Sequence, residues 1–269
     1  MFDFSNSSAY IFFLKRFFMV QRRILGLDIS TTCIGCCIMD VDENGNNSIF
    51  HLTYVKPKIK KGTKGMKSLF LKNKYFMENF MEEWKDAGIT DVVIEEPLIS
   101  SNNSKTAATL LRFNGIISNS IFDLIGVVPE YISSYEARKL SFPELFSIRN
   151  ISTKGKIYPL KQLIKALENN TLALFADYPK DINKKEVMMG KVNTLFPNIE
   201  WKYNKKKKFV NENYDISDSI VVVLGFLNRE KYGEEAMSVI SYKINEKKKK
   251  IDYIMKLGDS EFKKTLKLS

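Results

Sequence analysis

The chain is 269 residues long, 44% hydrophobic and formally +11 at pH 7, which is enough apolar material for one enlarged domain or two small ones and excludes a disordered polymer. The basic excess selects a polyanion as partner, either nucleic acid or an anionic membrane face. Cys33, Cys36, Cys37 and the lone His51 do not make the usual four-ligand zinc set, so the cysteines read as small apolar strand residues. Their odd cysteine count fits a reducing compartment rather than a disulfide framework.

Residues 1–21 form an N-terminal extension. Its aromatic stretch from Ala9 to Val20 has no basic segment before it, is broken by Lys15 and Arg16, and is too short to span a bilayer. It is either a functional arm or, with Met19 as the true start, non-native upstream translation. From Ile24 to Ile29 the sequence predicts a buried strand. A second follows from Cys33 to Asp40 after the turn Ser30-Thr31-Thr32, and a third from Ile49 to Val55 after the polar loop 42–47, giving an antiparallel meander.

A basic linker, Lys56 to Lys67, leads into an amphipathic helix through Leu69, Tyr75, Phe76, Phe80 and Trp84, stopped by Gly88. Asp91 to Glu95 reads as a short strand. The polar loop Ser100 to Ser104 can cap a helix from about Lys105 to Leu124, and Val127 to Ile132 is the next strand. Strands alternating with helices after an initial meander define an α/β architecture with a mixed sheet.

Pro143, Pro159 and Pro179 surround one helical pattern, Leu160 to Leu167, and mark about 141–181 as an insertion. Lys184 to Phe196 is a further helix and Lys202 to Lys208 a basic loop. The apolar segment 216–228 suits a strand on propensity and a buried helix on length, so local rules leave both open. The tail, 231–269 with Lys247 to Lys250, is expected to be a basic helix.

Within this framework the acids are the informative residues. Asp28 ends the first strand, Glu95 and Glu96 end a later one, and Asp215 and Asp218 open an apolar segment. Each has an ordinary local role: an Asx-type turn for Asp28, an exposed strand end for Glu95, an N-cap for Asp215 and a favourable helix-dipole position for Asp218. Capping does not explain why acids also interrupt two apolar strands, where a charge must be paired or hold a metal. Two carboxylates about 4 Å apart repel by roughly 4 kcal/mol at an effective dielectric near 20, so a cluster of four requires cations. An all-oxygen donor set suits Mg²⁺. Two such ions about 3.5–4 Å apart activate water and stabilise the leaving oxygen of a phosphodiester.

The ordered set Gly26-Leu27-Asp28-Ile29-Ser30 with Gly35, Val93-Ile94-Glu95-Glu96-Pro97, and Asp215-Ile216-Ser217-Asp218-Ser219 resembles the RNase H-like nuclease superfamily. Within it the set looks like the RuvC-like Holliday junction resolvases, in the divergent form found in phages. Ser104 to Gly115 resembles the helix after the glutamate strand, and Val128-Pro129-Glu130-Tyr131 the following strand. Lys185-Glu186-Val187, preferred over Lys161-Gln162, resembles the basic helix before the last acidic motif.

The resemblance implies a nuclease domain over 22–230 with a five-stranded mixed sheet, three antiparallel strands then two parallel ones, flanked by helices. It makes 216–228 a helix. It implies Asp28, Glu95, Asp215 and Asp218 as catalytic metal ligands, Asp28 bridging two Mg²⁺ ions (Mn²⁺ being the alternative) and Glu96 standing behind them. The expected partners are branched DNA and a second copy of the chain, since symmetric nicking needs two sites related by a two-fold axis. No membrane is implied, and the compartment is the cytoplasm, the host's if the chain is phage-encoded. Two departures stand out: the gap from Glu95 to Asp215 is long, and Ser30-Thr31-Thr32 replaces the usual Pro-Gly-Ser.

Lys56, Lys58, Lys60, Lys61, Lys64, Lys67, Lys185 and Lys205, Lys206, Lys207, Lys208 are the candidate phosphate contacts. Competing functions are another RNase H-like nuclease acting on general DNA or RNA/DNA hybrids, an actin or sugar-kinase type phosphotransferase, and a binding module without catalysis. The phosphotransferase needs glycine-rich phosphate loops, for which Gly62-Thr63-Lys64-Gly65 is the sole candidate. Retention of all four acids gives no support to lost catalysis.

Overall fold

The computed structural model describes residues 20–97, 104–149, 157, 159–169, 173–178, 182–233 and 237–268. The N-terminal extension through residue 19, the loop at 100–103 and parts of the expected insertion lie outside the described residues. The chain forms two units, residues 1–133 with 199–223, and 134–198 with 224–269. The expected span 22–230 includes residues of both units.

The first unit is built on a five-stranded sheet in the order β3-β2-β1-β4-β5. Its strands are β1 (Val20–Ile29), β2 (Ile34–Asp42), β3 (Asn47–Val55), β4 (Asp91–Glu96) and β5 (Glu130–Ser133). β1 to β3 are antiparallel, whereas β4 and β5 continue parallel to β1. The helices of this unit are α1 (Gly65–Phe76), which runs on through a π turn at Met77–Met81 to Trp84, and α2 (Ser104–Ile125).

Strand alternation divides the sheet into two faces. Leu25, Leu27 and Ile29 of β1 join Cys36 and Ile38 of β2 and Val92 and Ile94 of β4 in one buried cluster. Leu69, Phe76 and Phe80 from the α1 segment and Phe113, Ile117 and Ile121 of α2 close it. The four-residue spacing of those α2 positions gives that helix one apolar stripe. Burying each such side chain contributes about 1.5–3 kcal/mol.

The opposite face is covered by the first part of α6 (Glu212–Tyr232). A Cβ added at Gly26 would meet Val223 Cγ2 at 2.3 Å and the Ser219 carbonyl at 2.5 Å. With both faces covered, Ile24, Leu25 and Leu27 are all buried, which is why β1 reads as an unbroken apolar run. The open segment 216–228 is therefore helix: burial all round favoured it over β-branched propensity. β5 starts at Glu130, later than the predicted Val127, because Pro129 offers no N–H and Gly126 is used in a left-handed turn (φ 74°) that closes α2.

The second unit contains α3 (Ser134–Ser141), β6 (Phe146–Ile148), α4 (Leu160–Glu168), β7 (Leu174–Ala176) and α5 (Lys184–Leu195). The last part of α6 belongs to it, followed by β8 (Met237–Asn245), β9 (Lys250–Leu257) and β10 (Ser260–Lys267). β6 pairs with β7, and β8 to β10 form a three-stranded antiparallel sheet. This corrects the expected helical tail. Ile251, Tyr253, Met255 and Leu257 are buried at strict two-residue spacing, and Gly258 (φ 55°) takes the first place of a two-residue hairpin turn. The lysines at 247–249 sit in the other turn.

Candidate functional site

The site is assembled from strand register. Asp28 pairs with Gly35, and Gly35 with Tyr54. Leu27 pairs with Ile94 across the parallel seam, so the next residues, Asp28 and Glu95, come side by side at the carboxyl ends of β1 and β4. Both alternate away from the Leu27 and Ile94 face and so lie on the face that α6 covers. α6 reaches them at a second glycine: a Cβ on Gly35 would stand 2.0 Å from the Asp215 carbonyl oxygen. The helix start therefore rests on Gly35 and its next turns on Gly26, carrying Asp215 and Asp218 over the end of β1. Asp218 is 6% exposed.

Cys33 stands among these acids. Burial chiefly, with a hydrogen bond to the Asp215 carboxylate and the charges of Asp215 and Asp28, pushes its thiol far above the ordinary range, with Lys56 opposing. Cys36 and Cys37 are likewise buried free thiols raised by desolvation, consistent with their reading as apolar strand residues. Glu96 is exposed and alternates to the face opposite Glu95, apart from the other acids. Among the described residues no group of three or more His, Cys, Asp or Glu side chains is arranged to hold a metal ion. Register thus sets Asp28 beside Glu95 at the carboxyl ends of β1 and β4, and the start of α6, which carries Asp215 and Asp218, packs onto the same sheet face.

Of the candidate phosphate contacts, Lys56 is nearest to the acids. It pairs with Glu212 at the start of α6, and its ammonium lies 5.9 Å from the Tyr54 ring, over which Lys202 also sits at 4.5 Å. Lys58, Lys60, Lys61, Lys64 and Lys67 are exposed along and just past the linker. Lys205 to Lys208 occupy the tip of a small hairpin closed by the Tyr203 and Phe209 bridge. There Asn204 Oδ1 accepts from the backbone N–H groups of Lys206 (2.8 Å) and Lys208 (3.1 Å). Lys185 belongs to α5 in the second unit.

Sequence reasoning missed a recess of about 350 Å³ lined by Thr31, Ser68, Lys72, Lys105, Thr109 and Arg112, among others. It adjoins the turn that follows Asp28, and Lys72 Nζ donates to the Thr31 carbonyl at 2.6 Å. Three cations and three hydroxyls around one hollow are hydrogen-bond donors of the kind that phosphate oxygens accept from. The seven-residue spacing of Lys105 and Arg112, two turns along one face of α2, was a signal for part of it. The contribution of Lys72 was not visible without the packing of α1.

No protein-family model and no curated protein matches the chain. Among solved structures it is similar to T. thermophilus RuvC in complex with Holliday junction substrate, with 10% identity, 79% of this chain and 98% of that one covered, and a TM-score of 0.48. It is also similar to a second Thermus thermophilus RuvC structure at 12% identity, covering 79% and 97%, TM-score 0.46. The yeast mitochondrial Holliday junction resolvase is similar at 12% identity, covering 78% and 80%, TM-score 0.39. The sheet order, the change from antiparallel to parallel strands after β1 and the flanking helices define an RNase H-like α/β fold. Among the described residues no helix is long and apolar enough to cross a membrane.

Proposed function

We propose that the protein is a divalent-metal endonuclease that cleaves branched DNA, four-way junctions foremost, as a two-fold homodimer. The reading is carried by the arrival of acids from three distant segments, Asp28, Glu95 and the pair Asp215 and Asp218, at one end of the same sheet face. Their donors are carboxylate oxygens, a set that suits Mg²⁺ or Mn²⁺. Asp28, Glu95, Asp215 and Asp218 would hold the metal, Asp28 from the central strand. When bound, two such ions supply a lowered water pKa and charge stabilisation at the phosphodiester.

The chain's own contribution is positional. β1 and β4 fix Asp28 and Glu95 on adjoining rigid strands, and Gly35 lets α6 approach closely enough to add its acids. Lys72, Lys105 and Arg112, which line a recess at the turn following Asp28, would offer a seat for a backbone phosphate, and the linker and hairpin lysines would track further phosphates.

Labelled four-way, flap and linear duplex DNA, each with and without Mg²⁺, test the reading. Cutting is expected of the four-way junction with Mg²⁺ present, and Asp28→Asn is expected to bind the junction near wild type and to cut nothing. Unchanged cutting by that variant, or ATP turnover without DNA cleavage, overturns the proposal, and equal cutting of all three DNAs replaces it with a general nuclease.

A further inference from the structure

The β8–β10 sheet has one apolar and one charged face. Ile251, Tyr253, Met255 and Leu257 of β9 are buried, so Lys250, Asp252, Ile254 and Lys256 point the other way. The pairing then sets cross-strand rows on that outer face: Lys243, Asp252 and Thr265; Ser241, Ile254 and Lys263; Asn245, Lys250 and Lys267; Ser238, Lys256 and Glu261. Thr265 Oγ1 donates to Asp252 Oδ1 at 2.6 Å and Lys250 Nζ lies 2.7 Å from Asp252 Oδ2, confirming the shared face. Five lysines thus stand with two acids, one of them engaged by Lys250. The adjoining turn adds exposed Lys247, Lys248 and Lys249. Lys250 opposite Lys267 is a like-charge pair that costs stability in the free protein.

We infer that this face is a docking surface for the sugar-phosphate backbone of duplex DNA. Lys263 and Lys267 are separated by four strand residues, about 13 Å, and neighbouring strands by about 4.8 Å. Duplex DNA presents a charge every 1.7 Å or so of its axis, so the lysines meet several phosphates at once. Lysine, serine and threonine all donate to phosphate oxygens, which with the sugars take about half to two-thirds of protein–DNA hydrogen bonds. The aromatic residues Tyr242, Tyr253 and Phe262 alternate to the inner face, Tyr242 opposite Tyr253 and Phe262 opposite buried Met255, so the outer rows are charged and polar apart from Ile254. A hollow of about 470 Å³ over Lys243, Ile254, Lys263 and Thr265 gives it shallow relief. The choice of DNA over other polyanions rests on the endonuclease reading; the charge geometry does not.

The test is metal-free binding of a short labelled duplex by the full chain across a salt series. Replacing Lys256, Lys263 and Lys267 together by Gln is expected to make the slope of log K against log salt shallower by about 2–3. The same three positions as Arg are expected to restore it. An unchanged slope with the Gln variant, or no restoration by Arg, overturns the docking surface. So does loss of binding to phosphatidylserine vesicles alone, which assigns the face to membrane. Junction cleavage by the same variants at low salt separates the two proposals. Cutting with an unaltered slope sinks only the docking surface, and a lysine-dependent slope in a protein that cuts nothing sinks only the nuclease.

Discussion

His51 is the one histidine of the chain, half-buried on β3 with its ring 4.4 Å from that of Trp84 and 6.3 Å from Phe80. Burial lowers its pKa below 6.5, with the charge of Glu83 opposing. The unfolded chain therefore takes up this proton before the folded one does. Stability is full above about 6.5 and is lost as pH falls from there through the lowered folded value. Urea midpoints should drop across that window, above the range where carboxylates titrate, and His51→Gln should remove the drop. The same slope in the variant would clear His51 of the effect. Glycines give a second residue-scale contrast. Gly35→Ala forces a methyl into the Asp215 backbone and is expected to cost about 1–3 kcal/mol by overpacking and to abolish cutting, because the start of α6 must move. A Cβ at Gly190 in α5 meets nothing within 4 Å, so Gly190→Ala should instead stabilise by about 0.4–1 kcal/mol. The two unfolding midpoints shifting in the same direction would contradict this account of the glycines.

At the scale of elements, register does the positioning and is also what the sequence hides. The strand ends at Asp28 and Glu95 were legible because an acid closing an apolar run is conspicuous, and β1 to β4 were legible from period and turn residues. The part played by Gly26 and Gly35 was not, since a missing Cβ has meaning only once α6 lies across it. β8 to β10 were misread because four consecutive lysines outweighed the alternation beginning at Ile251. Cys33 was read as filler because its acidic surroundings come from other segments. Register also makes a buried ion pair: Arg23 faces Asp40 across β1 and β2, with Nε 2.6 Å from Oδ1 and side chains only 5% and 4% exposed. The guanidinium also lies 3.8 Å from the centre of the Phe50 ring. Asp40→Ala strands that charge and is expected to cost about 3–5 kcal/mol. Asp91→Ala, which breaks the half-exposed pair with Arg22, should cost no more than about 1 kcal/mol. Equal losses in denaturant titrations would show that burial is not the deciding variable.

Over the whole molecule, a net charge of +11 coexists with four acids gathered at one sheet end, so the protein carries opposite local and global electrostatics. On the proposed function the basic exterior would draw DNA, while the acidic end would need a cation before a phosphate could approach it. On the same reading Mg²⁺ would bind the folded arrangement and not the dispersed acids of the unfolded chain, and mass action would then stabilise the native state by about 2.7 kcal/mol at one hundred times the dissociation constant. For a chain of this size that corresponds to a rise in Tm of roughly 5–10 °C. The measurement is thermal unfolding with Mg²⁺ titrated at constant ionic strength, which removes screening as an explanation, followed by chelation. The wild type should gain and then lose the increment, and Asp28→Asn should show little of it. An equal rise in the variant would locate the cation elsewhere, and no rise in either would leave the four acids without a metal to hold.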